Sequence, residues 1–226
     1  MQLNSDFTQR ALVHAGKQEW VPSPMKGVDR RMLDRIGDEV ARATSIVRYA
    51  PGSHFSAHTH TGGEEFLVLE GVFQDEHGDF PAGTYVRNPP TSSHTPGSEP
   101  GCTIFVKLWQ FDPDDRHQMS MDTRTQTWSV DPTRSGVQIM ELHRDKHESV
   151  VLERWAPGQA VTLDSPDGLE VLVLEGSFEE GGEVLEYQSW LRLPKAVSTP
   201  AIAGENGCKL WIKRDHLRQP PLAPAG

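Results

Sequence analysis

Cysteine is nearly missing from this 226-residue sequence: only Cys102 and Cys208 occur, far apart and outside any CxxC pair. That excludes a disulfide framework and a cysteine-based zinc site, and it reads as a cytoplasmic chain. Long apolar runs are missing too, so no segment reaches the roughly 20 residues of a membrane-spanning helix. The start, MQLNSDFTQRALVH, carries charge and no apolar stretch, unlike a secretion signal. Basic residues are in deficit, with 22 Lys and Arg against 32 Asp and Glu and a net charge of −10. Such a surface repels nucleic acid and anionic membranes, so neither is expected as a direct partner. Helical periodicity is scarce as well, extending to a turn or two near the N-terminus.

What is present is a repeat. FLVLEGVF (66–73) answers VLVLEGSF (171–178), RYAPGS (48–53) answers RWAPGQ (154–159), and PGCTIFVK (100–107) answers NGCKLWIK (206–213). EWVPSPMKGV (19–28) and TWSVDPTRSGV (127–137) form a fourth pair in the same order. A single period of about 105 residues describes a duplicated domain and not a solenoid. Each copy is rich in short runs of β-branched and aromatic residues, such as ATSIVRYA, EFLVLEGVF, TYVRNP and CTIFVKLWQF. Turn formers separate them: PGS, TGG, DEHGD, PAG. The expectation is all-β, with a sandwich or barrel in each copy.

Histidine is plentiful, at ten residues, and HTHTGGEEFLVLEG (58–71) concentrates the chemistry. On a strand, residues two apart share a face, so His58 and His60 aim two imidazoles at one point. Gly62 and Gly63 supply a turn, Glu64 opens the next strand, and His94 in NPPTSSHTP closes the set from a further strand. Three imidazoles and a carboxylate suit Zn(II), Fe(II), Mn(II), Ni(II) or Co(II), with coordination positions left open for water or a ligand. His54 has the same parity as His58. With Phe66, Val68, Tyr85 and Phe105 it is a candidate for lining the pocket, beside the plainer reading of ordinary surface or barrel core. His77, His143 and His147 read as solvated. Cys102 and Cys208 read as small packing residues, and Trp20 and Trp128 as fasteners of each copy's N-terminal arm.

The run Gly52-x5-His58-x-His60-x3-Glu64-x6-Gly71 resembles the first cupin motif at every position. Pro89-x-Thr91-x2-His94 is similar to the second, with Thr91 and Ser98 where glycine and asparagine are usual. Residues 27–111 look like the cupin domain of ChrR-type zinc anti-sigma factors. The resemblance implies two tandem cupin (RmlC-like jelly-roll) barrels, a bicupin. Its parts are an N-terminal arm (1–26), a metal-binding ChrR-like cupin (27–113), a linker (114–127), a degenerate second cupin (128–215) and a Pro-rich tail (216–226). It also implies one divalent transition metal per chain, zinc first and iron, manganese or nickel next, and an assembly that often is a homodimer.

The duplication acts as an internal control. In the second copy Asp164, Pro166 and Leu169 stand where His58, His60 and Glu64 stand, and Ser198 or Thr199 faces His94. The four ligands are lost together while LVLEG persists. Glu65 keeps Glu170 as its counterpart and reads as structural.

Three functions follow from the resemblance and the ligand set. One is regulatory, a small-molecule or oxidant sensor near the anti-sigma factors of the oxidative stress response. The sequence, however, lacks the HxxxCxxC pattern of their sigma-binding zinc domain. The second is a non-haem Fe(II) dioxygenase of small diketones or hydroxyketones, for which no general base is identified. The third is a binding protein whose metal anchors a ligand without turnover. The regulatory reading ranks first. Replacing both His58 and His60 by Ala should abolish metal binding, measured by elemental analysis, while the second copy stays folded; stoichiometric metal in the double variant would exclude this site.

Overall fold

The structure, a computed structural model, describes residues 1–38, 40–219 and 221. Residues 220 and 222–226, most of the Pro-rich tail expected for 216–226, lie outside the described residues. The tail's start is anchored: Leu217 is buried, and its amide donates to the Asp167 carbonyl. Apart from a 3-10 turn at Ala15–Lys17, the regular elements among the described residues are antiparallel strands. They form two compact units, one of Met1–Ser5 and Gln18–Thr125, the other of Asp6–Lys17 and Gln126–Pro221. The all-β expectation of two barrels holds.

In the first unit the strands run in the spatial order Gln2–Leu3, Val28–Gly37, Ala41–Tyr49, Cys102–Leu108, Glu64–Asp75, Thr84–Asn88, Met119–Asp122. A two-stranded ribbon, His58–Thr59 against Ser93–His94, stands apart from this sheet. The second unit repeats the order with Val137–Arg144, Ser149–Trp155, Val197–Arg214, Leu169–Glu180, Ser189–Leu193 and Ala11–His14. The arm and the linker are therefore not plain connections. Ala11–His14 is an edge strand of the second unit, paired Leu12 to Leu191, and Met119–Asp122 is the matching edge of the first, paired Ser120 to Val86. Neither segment has a sustained apolar alternation, which is why MSMD looked like linker.

The recurring LVLEG has a backbone reason. Thr103 pairs with Glu70 but Ile104 pairs with Val68, so Leu69 is an extra residue, a β-bulge. The second unit slips at the same place, between Val173 and Glu175. The bulged strand bends, and its far half turns away to pair Phe73 with Phe80. Gly71 and Gly176 follow the bulge at φ 71° and 68°. A Cβ on either would collide with the carbonyl oxygen of Gly101 or Gly207 across the ladder. Alanine there combines left-handed strain with a clash that backbone must relieve.

Strand alternation divides the first unit's side chains. Phe66, Val68, Val86, Ile104 and Val106 face inward with Val28, Val47 and Phe73. Glu65, Leu67, Tyr85 and Phe105 take the opposite face, because Leu67 is the cross-strand partner of both Tyr85 and Phe105. There Tyr85 donates a 2.6 Å hydrogen bond to Glu65, and Arg87 holds Asp115 at 2.9 Å. Trp20 is covered by the Arg48 guanidinium at 4.5 Å and Trp128 by Arg154 at 4.0 Å. Equivalent stacks thus fix both chain entries. Gly71→Ala should lower the first unit's stability by about 2 kcal/mol or more in urea unfolding, with Gly176→Ala doing the same to the second unit. An unchanged midpoint would remove the bulge from this account.

Candidate metal centre

The ribbon His58–Thr59 with Ser93–His94 makes the site. His58 and His94 are direct cross-strand partners, so their side chains leave the ribbon on one face. His60 extends the first strand, its amide donating to the Ser92 carbonyl at 2.8 Å. The three ring centroids lie 5.0, 4.9 and 4.6 Å apart. One ring nitrogen from each of His58, His60 and His94 falls within 4.8 Å of the others. Glu64 arrives from the adjacent strand, its Oε2 at 3.3 Å from His60 Nε2 and 3.6 Å from His94 Nε2. The turn before it is shaped by Gly63 at φ 78°, where a Cβ would strike the Phe111 ring.

The hydrogen bonds behind the rings decide which nitrogen faces the centre. Ser92 Oγ donates to the Pro89 carbonyl at 2.7 Å, so at 3.0 Å it accepts from His60 Nδ1–H. His94 Nδ1 lies 3.1 Å from the Asp75 carboxylate, and His58 Nδ1 lies 3.4 Å from the Ser56 carbonyl. Each of these is an acceptor, so each Nδ1 carries the proton and each Nε2 keeps its lone pair. Nε2 of His60 and of His94 is buried with no hydrogen-bond partner. Buried polar nitrogens left open in this way, converging beside a carboxylate, fit a divalent transition metal. The His58/His60/His94 triad can hold one.

Burial works against the Glu64 carboxylate, yet the adjacent imidazoles of His60 and His94 and the Asn88 amide outweigh it and keep its pKa low. Asn88 Nδ2 donates to Glu64 at 3.3 Å. Burial lowers the pKa of His58, with Glu64 opposing and the two other imidazoles assisting. For His94, burial is overcome by the hydrogen bond it donates to Asp75 and by the Glu64 charge, so its pKa is raised. Burial and Glu64 push Tyr49 far upward, leaving its hydroxyl protonated.

The centre opens on a cavity of about 540 Å³, within the 300–1,000 Å³ usual for small-molecule sites. Phe55, Val47, Ile104, Leu108 and Trp109 give it largely apolar walls. Of the residues expected to line it, Phe66 and Val68 belong to the packed core on its side of the sheet. Tyr85 and Phe105 do not line it: they occupy the opposite face, as their pairing with Leu67 requires. His54 is exposed and pairs with Glu99 at 2.8 Å, away from the cavity. His143 is not solvated either; it is buried, with Nε2 3.4 Å from Asp145.

Asp75, Ser92 and Asn88 were not singled out from the sequence. The signal for Ser92 was its place two residues before His94; Asp75 is brought in by the hairpin only. Thr91 sits at φ 78°, the left-handed conformation that favours glycine, and so explains the residue usual at that position. Ser98 is fully buried and donates to the Val72 carbonyl at 2.6 Å.

Residues 8–112 match the family model described as the ChrR cupin-like domain. The first repeat is a cupin. Solved structures with the same architecture include a candidate dioxygenase from Nostoc punctiforme, at 15% identity and TM-score 0.74 over 97% of this chain and 88% of that one. Escherichia coli YlbA follows at 13% identity and TM-score 0.70 over 93% of each chain. The E. coli pirin YhhW, solved with nickel(II), aligns at 15% identity and TM-score 0.62 over 92% of this chain and 99% of that one. At these identities the likeness is one of fold, that of a bicupin. No curated protein matches the sequence. Among the described residues, no helix is long and apolar enough to cross a membrane.

In the second unit the pairing of Asp164 with Ser198 occupies the place of His58 with His94, so Ser198 and not Thr199 is the counterpart of His94. Ser198 donates to Asp164 at 2.6 Å. Leu169 replaces Glu64, and its partner Leu193 replaces Asn88, both inside the apolar core.

Two outcomes test the cupin's centre. Ser92→Ala or Asp75→Asn should weaken metal affinity by about 10- to 100-fold without removing a ligand. Because all three imidazoles must be neutral to bind, metal should be lost as pH falls from roughly 6.5 toward 4; firm retention at the lower end, read by a chelator competition, would count against histidine ligation.

Proposed function

We propose that the first cupin holds one divalent transition metal through Nε2 of His58, His60 and His94, with Glu64 as a fourth ligand. The cavity beside it takes a small organic molecule, and the chain acts as a metal-dependent small-molecule sensor of regulatory type. The observation that carries this is the set of three Nδ1–H bonds, to Ser92, Asp75 and Ser56, which leaves three lone pairs converging at the floor of a cavity. When bound, the metal supplies Lewis acidity at the inner end of that cavity. The chain's own residues do the rest. Asn88 holds Glu64 in place. Val47, Ile104 and Leu108 give the site apolar walls, and the turn at Gly62 and Gly63 lets Trp109 and Phe111 pack close to it. The match to the ChrR cupin-like domain supports a regulatory setting. A sigma factor as partner is the corresponding part of the proposal, and zinc is the metal that goes with it.

A second reading, a non-haem Fe(II) dioxygenase for small diketones or hydroxyketones, is favoured by the cavity. A room of about 540 Å³ beside the triad exceeds what a metal used only for structure requires. Elemental analysis of untagged protein, followed by oxygen uptake after anaerobic Fe(II) loading with a panel of β-diketones and hydroxyketones, separates the two. Bound zinc without uptake supports the sensor; iron with substrate-dependent uptake makes the chain an oxygenase; absence of any stoichiometric metal overturns both.

A further inference from the structure

Arg30 lies on the strand Val28–Gly37 and lines the same cavity as the triad. Its cross-strand partner Val47 and its neighbour Val28 line it too, so this face of the strand points inward. Its Nε is buried with no hydrogen-bond partner, and among the described residues the side chain makes no ion pair. Arg35, the other arginine on the cavity, is engaged, donating to the carbonyls of Gly37 and Asp38. Among the described residues lining the cavity, Glu64, at the metal centre, is the sole carboxylate. A guanidinium left without a counter-ion on apolar walls is costly unless an anion joins it.

The duplication bears on this position as it does on the ligands. Val137 answers Val28, and counting along the paired strands Ile139 answers Arg30 and Glu153 answers Val47. In the second unit Glu153 is buried and ion-paired with Arg134 at 2.8 Å and Arg214 at 3.0 Å, and Arg214 answers Leu108. Ile139 packs on the apolar core. Where the metal ligands are absent, the position of Arg30 is apolar and the arginines Arg134 and Arg214 are neutralised by Glu153. Where they are present, an arginine stands open.

We propose, building on the metal-centre reading, that the cavity's ligand is a small organic carboxylate, with Arg30 binding its carboxylate and the metal centre taking the other end. One planar guanidinium matches one carboxylate in a two-bond fork, and Arg30 is the lining arginine not already engaged. A cationic recess in a chain of net charge −10 selects for such an anion locally.

The test uses the full chain loaded with Co(II) and calorimetric titration with levulinate and with methyl isoamyl ketone, its uncharged isostere. The wild type should bind levulinate at least about 10-fold more tightly than the ketone, the scale of a charged hydrogen-bond pair. Arg30→Met should abolish that preference with metal content unchanged, and Arg30→Lys should recover part of it. A wild type without preference for the anion, or an Arg30→Met variant that keeps it, overturns the proposal. Metal content and the Co(II) visible spectrum report on the metal centre separately: failure to take up Co(II) defeats the metal-centre reading, while the levulinate preference alone judges Arg30.

Discussion

The site depends on protons held at the backs of three imidazoles. Ser92, Asp75 and the Ser56 carbonyl each accept from an Nδ1, and that choice of tautomer is what turns three histidines into one donor set. Histidines of the same sequence spacing without those acceptors would be free to rotate or to protonate elsewhere. The acceptors come from three places: a turn before His94, the far end of the long strand Glu64–Asp75, and the loop before His58. Orienting the ligands is thus a property of the assembled barrel.

The two copies show what a cupin interior does when it is released from that task. The first keeps a cavity, a buried carboxylate supported by Asn88, and an inward arginine. The second fills its interior with Leu163, Leu169, Leu193 and the charged group around Glu153. Replacing the hydrogen-bonded pair of the Glu64 carboxylate and the Asn88 amide by two leucines removes a desolvation cost that only a function would sustain. The retained pair Glu65 and Glu170, buried in both copies, belongs to the opposite face of the sheet and to the architecture common to both.

Much of the fold and the ligand set was legible in the sequence because strand periodicity is two and the repeat is strong. His58, His60 and Glu64 fall within seven positions, and parity alone places the histidines on one face. Tyr85 and Phe105 were misplaced because parity cannot be carried from strand to strand without the register: only the pairing of each with Leu67 tells which side they take. Arg30 and Asp75 were invisible for a related reason, since their relevance arises from neighbours distant in sequence. Met119–Asp122 and Ala11–His14 hid as strands because an edge strand with polar residues has no distinctive pattern.

The placement of those two edge strands has a consequence in time. Ala11–His14 leaves the ribosome before its partner Ser189–Leu193, which follows more than 170 residues later. At synthesis rates of about 5 to 20 residues per second the earlier strand waits roughly 10 to 35 s for its ladder. Through that interval the nascent chain carries an unpaired strand, the type of segment that recruits strangers. The short length and the polar flank of ALVH, with Arg10 before it and His14 at its end, keep that wait from becoming an aggregation hazard.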